Sequence, residues 1–309
     1  MLSSFLHAAV IAGTPLVFAI LGEILTERAG KLNLGVEGMM LMGAVVGFKT
    51  ALLTSHPLWA LFGAALAGAA GALIFSFLTV TLRSNQVVTG LALTIFGTGF
   101  ASFLGQGLAG HIVPASVKDF FHPVALPVLS RIPFLGEALF HHSIFVYAGY
   151  IIIIAAYVYL FKTRFGLNLR ALGENTAAAD AAGINIMKYK FAHILSGGAL
   201  IGLGGAFLSL VYVPTWQENI TTGRGWIAVA LVIFCKWNPI RIFWGAFLFG
   251  GLDIIGFRLQ GLNIHISQYF FDMLPYIVTV IILIMTSVKD SKEKSPPAEL
   301  GRPYFREDK

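Results

Sequence analysis

Phe165-Gly-Leu-Asn-Leu-Arg-Ala-Leu-Gly-Glu-Asn-Thr-Ala-Ala-Ala-Asp-Ala-Ala-Gly-Ile-Asn-Ile-Met-Lys-Tyr-Lys190 is a polar island between two apolar runs, Ile144 to Phe161 and Phe191 to Val213. Each run approaches the roughly 20 apolar residues that a helix needs to cross a bilayer. The island therefore sits at a membrane surface between two spans, with Lys162, Arg164, Arg170, Lys188 and Lys190 marking that surface as cytoplasmic. Within it, Asn175 is a good N-cap, Thr176 to Ala182 carries five alanines and Asp180, and Gly183 suits a left-handed C-terminal cap. The resulting helix, about 10 Å long, is too short to be stable alone in water. It must pack on something. A docking surface for a soluble partner, with Glu174 and Asp180 supplying polar contacts, and a plain loop helix resting on its own bundle are both compatible with these residues.

The rest of the 309-residue chain is oily: 57% hydrophobic and 12% charged, against roughly 25% charged in a soluble average. This is an all-α integral membrane protein, a polytopic bundle of about 8–10 transmembrane segments, some broken or re-entrant. Candidate spans run Phe5 to Leu25, Val36 to Leu53, Leu58 to Leu82 and Val87 to Ala109, then the two beside the island. Beyond them Trp226 to Cys235 is short and stops at Lys236-Trp237-Asn238-Pro239; Ile240 to Ile255 and Leu274 to Val288 follow. The first apolar run has no clear cleavage site and is expected to stay. The net charge of +6 is spread over loops and tail, which reads as membrane orientation and not as nucleic-acid binding. Loops near Arg28, Arg83, Arg164 and Lys236 and the tail fall inside; those near Pro114, Thr215 and Asn263 fall outside. The N-terminus is then outside, or inside if Thr26 to Gly38 folds back into the membrane. Ser287 to Lys309, rich in Lys, Glu, Pro and Ser, reads as a solvated, disordered tail.

Small residues recur every fourth position: Ala60, Ala64, Gly68, Ala72 and Ser76; Gly97, Ala101, Gly105 and Ala109; Gly198, Gly202 and Ala206. Such faces let helix backbones approach closely in lipid, within one chain or between subunits. Enzymatic chemistry finds little support. No His-Glu-x-x-His pattern occurs, the single Cys235 can form no internal disulfide, and Gly30-Lys31 lacks the rest of a phosphate loop, so any ATP is used by another subunit. No metal or cofactor is expected in this chain.

Glu23, Glu27, Arg28, Lys31, Asn33 and Glu37 concentrate polar groups between the first two spans. Glu23, Glu27 and Lys31 share helical spacing, and so do Asn33 and Glu37. They read either as the lining of a polar pathway or as an ion-pair cluster in which Arg28 or Lys31 neutralises Glu37. Ionisable groups inside a span are functional candidates by default, which adds Asp253, with Arg258 as its possible partner. If Glu37 or Asp253 carried a proton or sodium ion, the protein would be an ion-gradient-driven secondary transporter.

Gly22-Glu-Ile-Leu-Thr-Glu-Arg-Ala-Gly-Lys-Leu-Asn-Leu-Gly-Val-Glu-Gly-Met-Met40 closely resembles the permease subunits of bacterial ABC importers for nucleosides and simple sugars, the branch paired with basic-membrane-lipoprotein-type binding proteins. Asn85 to Leu91, Gly173 to Ile184 and Gly223 to Ala228 are similar to that family in the same order. The resemblance implies a transmembrane permease domain over residues 1–288, with a cytoplasmic coupling segment at 163–190 and a polar tail at 289–309. It implies an ATPase subunit as partner, a second and often non-identical permease, and an extracytoplasmic solute-binding lipoprotein, all at the bacterial plasma membrane. The coupling role carries onto Gly173, Glu174, Asn175, Ala178, Ala179, Ala182, Gly183 and Ile184. Asn33 and Glu37 are implied to lie near the translocation route, where they could equally shape a turn.

Overall fold

The computed structural model describes residues 2–127, 129–260, 273–281, 284 and 296–305. Its helices are α1 (Leu2–Arg28), α2 (Val36–Thr54), α3 (Pro57–Ser76, continued by a π turn over Phe77–Thr81) and α4 (Gln86–Gly105). The short α5 (Ala115–Phe120) and α6 (Leu135–Leu139) follow, then α7 (Ile144–Lys162), α8 (Arg164–Glu174) and α9 (Thr176–Ala181). The chain continues with α10 (Ile186–Phe207, with a π turn over Leu208–Tyr212), α11 (Arg224–Cys235) and α12 (Ile242–Gln260). Strand β1 (Val124–Ala125) pairs antiparallel with β2 (His141–His142). Among the described residues, seven helices (α1 to α4, α7, α10 and α12) are long and apolar enough to cross a membrane, while α11 is too short. Residues 273–281 are also helical, and the rest of the span expected at Leu274 to Val288 lies largely outside the described residues.

Local sequence sets several of these boundaries. Pro57 occupies the first turn of α3, where a missing N–H costs nothing. Asn85, Thr163 and Asn185 each accept a backbone N–H of the helix they precede, from Val88, Gly166 and Lys188.

The core is built around α1 and α2, which the other spans enclose. The small-residue stripes hold it together. Ala60, Ala64, Gly68, Ala72 and Ser76 are buried and face α10, where a Cβ added to Gly68 would stand 2.1 Å from the carbonyl oxygen of Gly198. The stripe on α4 does the same work: Gly97 meets Gly38, and Gly105 meets the Trp216 ring. With no hydrophobic difference to drive helices together in lipid, this close backbone contact supplies the cohesion. Phe18, Phe48, Phe75, Phe207 and Phe249 fill the core between these contacts, while Ile95, Phe103, Ile151 and Trp244 are exposed on the outer surface.

The molecule has two ends. At one, Arg28, Glu174, Trp237 and residues 296–305 meet. At the other, His7 contacts the Glu137 carbonyl, Arg258 bonds Ser4, and Ser116 bonds the Ser55 carbonyl. The basic loops gather at the first end, and α1 runs to it from the other; on the positive-inside expectation that first end is the cytoplasmic one. The segment after Arg28 does dip back into the bundle, but it does so as a loop, and this leaves the side of the N-terminus unchanged.

Two expectations are corrected. Helix α1 ends at Arg28, so Lys31 does not continue the Glu23–Glu27 face; Asn33 lies in the loop before α2 and shares no helical face with Glu37. The tail, read as disordered, is seated against the bundle over residues 296–305. Glu299 N–H donates to the Gly173 carbonyl at 3.0 Å, Gln86 Nε2 to the Arg302 carbonyl at 3.4 Å, and the Tyr304 hydroxyl to Asp180 at 2.9 Å. Backbone pairing, Tyr304 on Asp180 and the Phe305 ring under Arg83 hold a segment whose composition looked solvated.

Candidate functional site

The polar island folds into two helices and a turn. Thr163 caps α8, and Asn175 closes it and opens α9, its Oδ1 accepting the Ala178 N–H at 2.9 Å. Thr176 and Ala179 are buried beneath α9, and the Thr176 hydroxyl bonds the Leu172 carbonyl. Glu174, Asn175, Ala178, Ala182 and Gly183 are exposed, so five of the expected coupling residues form one open face. Gly183 adopts φ +81°, the left-handed conformation that its sequence position called for. Gly173 and Ala179 are instead the anchors. A Cβ on Gly173 would stand 2.4 Å from the Arg28 carbonyl oxygen, so this turn lies directly on the end of α1. Arg28 reaches Glu174 at 3.9 Å, a loose and partly solvated pair worth little by itself, and the Trp237 carbonyl at 3.3 Å. The island is thus tied to α1, α11 and the strap of residues 296–305.

A second constellation lies deeper. Gly38 meets Leu93 and Thr94 of α4, about 10 Å along that helix from its start at Gln86. Beside Gly38, the Glu37 carboxyl group accepts Gly223 N–H at 2.9 Å, Gly225 N–H at 2.6 Å and the Thr221 hydroxyl. It thereby caps the first turn of α11, a half-helix whose free N–H groups would otherwise be orphaned inside the bundle. Gly225 allows this because a Cβ there would sit 2.5 Å from Glu37 backbone. One residue away, Arg224 pairs with Asp253 of α12 at 3.1 Å, bonds Thr222 Oγ1 and lies over the Tyr212 ring. Glu37 and Asp253 are thus brought to one place, both around the start of α11.

Asn33 is elsewhere. Its Oδ1 accepts Gly35 N–H at 2.9 Å and its own N–H donates to Glu23 at 3.0 Å, so it shapes the turn into α2. Neither Arg28 nor Lys31 neutralises Glu37: Lys31 Nζ donates to the Thr79 carbonyl at 2.9 Å. Burial, with a smaller push from the Lys190 charge, lowers the Lys31 ammonium to about 7. Glu27 takes the Trp237 indole N–H, a contact that places α11's far end against α1. Thr221, Arg224 and Trp237 were not singled out from sequence as site residues, although Gly223 to Ala228 marked the neighbourhood.

With both acids engaged in holding α11, nothing favours the ion-gradient reading. The chain belongs to the family described as branched-chain amino acid transport system permease components, whose profile matches residues 5–283. A nucleoside ABC transporter permease of Lactococcus lactis is 36% identical, aligned over 89% of this chain and 90% of its own. A guanosine ABC transporter permease of Bacillus subtilis is 32% identical over 91% of each. A glucose ABC transporter permease of Haloferax volcanii is 29% identical over 82% of this chain and 70% of its own. The protein is a multi-pass plasma-membrane permease of the ABC transporter class.

Proposed function

We propose that this permease translocates nucleosides or simple sugars in an ATP-driven importer, and that a separate ATPase subunit grips it at Glu174 to Ile184. The observation that carries the reading is the α8–α9 turn: capped at Asn175 and Gly183, open on its outer face, and seated through Gly173 on the end of α1. A push on α9 reaches α1 directly and α11 through Arg28 and Trp237. The α11 half-helix is held by a few hydrogen bonds and one ion pair around Glu37 and Asp253. It can therefore shift as a unit and alternate the opening of the bundle, given contacts that differ between the two states. The solute class is supported by the nucleoside, guanosine and glucose permeases it resembles. A second permease subunit, non-identical to this one, and an extracytoplasmic binding lipoprotein complete the importer, and ATP is hydrolysed on the partner chain.

Uptake of a radiolabelled panel of nucleosides and monosaccharides into vesicles, with proton and sodium gradients collapsed and ATP supplied, tests this. Retained uptake is expected. Loss of uptake with ATP present would overturn the ATP-driven reading.

A further inference from the structure

At the end of the bundle that carries the coupling segment, sharing Gly183 and Ile184 with it, lies a cavity of about 410 Å³ whose buried lysines the import reading does not use. Its walls come from the loop after α1 (Lys31), the end of α3 (Thr79, Arg83), the α9–α10 turn and the strap's Tyr304. Three cations line it: Lys31, Arg83 and Lys190. Lys31 and Lys190 are 2% and 3% exposed, an unusual depth for lysines. Among the described residues, Lys31 Nζ donates to the Thr79 carbonyl, and Lys190 lies 5.9 Å from the centre of the Tyr304 ring. Among the described residues, Asp180 also lines the cavity and takes the Tyr304 hydroxyl, and the charge of Glu299 reaches Lys190. Both lysines are held out of water at one place, and burial, with a smaller push from the Lys190 charge, lowers the Lys31 ammonium.

We propose that this cavity binds the phosphate of an anionic phospholipid. A phosphate between Lys31, Lys190 and Arg83 supplies counter-charge to three cations, with oxygens that ammonium and guanidinium donors bind well. Basic pockets between helices at the cytoplasmic boundary are the usual form of such sites. Lipid, not a soluble phosphate, is favoured by the apolar rim. Met187 lines the cavity and is 50% exposed, and the helix that brings Thr79, Val80 and Arg83 to it carries exposed Leu73, Ile74 and Phe77 in the turns before, a lipid-facing run leading to the site. The bound headgroup would touch the α3 end, the turn after α9 and the strap at once, so it would brace the coupling segment from the membrane side.

The test is lipid retention by the full-length permease, read by native mass spectrometry and by melting in nanodiscs. Phosphatidylglycerol nanodiscs are compared with phosphatidylcholine nanodiscs, and inorganic phosphate or ATP is added in a separate arm. Wild type should retain phosphatidylglycerol and melt higher with it. Arg83→Gln and Lys190→Gln should each weaken retention about fivefold, the worth of one basic residue at a membrane surface. Lys162→Gln, at the other cytoplasmic edge, should leave it unchanged. Melting in phosphatidylcholine confirms that each variant folds; should Lys190→Gln fail there, the exposed Arg83 carries the test. Equal retention by wild type and Arg83→Gln, or no preference for the anionic lipid, would overturn the site. Protection by phosphate or ATP without a lipid preference would overturn the lipid assignment. Uptake driven by gradients instead of ATP would sink the import mechanism and leave this result untouched.

Discussion

Replacing Glu37 separates a structural cap from an ion carrier. In Glu37→Ala the N–H groups of Gly223 and Gly225 and the hydroxyl of Thr221 lose their common acceptor in a buried place. Each buried donor left unsatisfied costs about 1–3 kcal/mol. The three neighbours are coupled and water can enter part of the vacated space, which puts the sum near the lower end, about 3–5 kcal/mol. For a domain of this size that is a fall of about 6–10 °C in melting temperature. Glu37→Gln keeps one acceptor oxygen but turns the other into a donor facing the same N–H groups, and should lose about half as much. Melting of the purified protein in nanodiscs reads both variants. ATP-driven uptake measured alongside should fall in parallel with the loss of order at α11, with no change in its dependence on proton or sodium gradients. Unchanged melting in Glu37→Ala, or a Glu37→Gln variant of full stability whose uptake has become gradient-dependent, would refute the capping argument.

Asn175→Ala should cost α9 about 1 kcal/mol through its lost cap. Gly183→Val has no clash to meet, since nothing lies within 4 Å, and should cost about 1–2 kcal/mol through its φ of +81° alone. Both should reduce copurification of the ATPase while leaving membrane insertion normal; full copurification and uptake would count against a coupling surface. Arg224→Gln and Asp253→Asn should each destabilise by about 1–3 kcal/mol, since either removes an ion-pair partner from a largely buried charge, and the double variant should lose clearly less than the sum of the two. Additive losses in denaturation would show that the pair does not interact. Because burial holds Lys31 near 7 in the fold against 10.5 when exposed, the unfolded chain binds more protons between those values, and stability should rise with pH from about 7 to 10. Lys31→Gln, which can still donate to Thr79, should flatten that slope in a melting series; an unchanged slope would remove Lys31 as its source.

What could be read from sequence was local or periodic. Asn175 and Gly183 declare a helix start and stop within nine residues, and the structure repeats that reading. The stripes on α3 and α10 declared close packing because a four-residue period marks one helix face. The pathway candidates fared differently. Asn33 and Glu37 are four apart, but Gly30 to Gly35 is not helical, so the spacing carries no shared face. What Glu37 does depends on Thr221 to Gly225, well over a hundred residues away, and no spacing rule links them. The half-helix was legible as a short apolar run ending at Lys236, yet the need for a cap at its start became visible only when Gly223 and Gly225 were seen beside α2. The strap was least legible. Its hold on Gly173 is a backbone hydrogen bond, to which side-chain composition gives no clue, and Ser, Lys, Glu and Pro are also what disordered tails are made of.

That strap has a consequence in time. Residues 296–305 lie downstream of every described span, so a ribosome delivers them after α1, α3, α8 and α10 have already been made. The coupling turn can fold as soon as α8 and α9 emerge, but the contacts of Glu299 with Gly173, Arg302 with Gln86 and Tyr304 with Asp180 close only when synthesis has passed the last helix. A chain interrupted before that point carries the turn without its clasp. The surface around the α8–α9 turn therefore differs between a chain made through residue 305 and one interrupted before the strap.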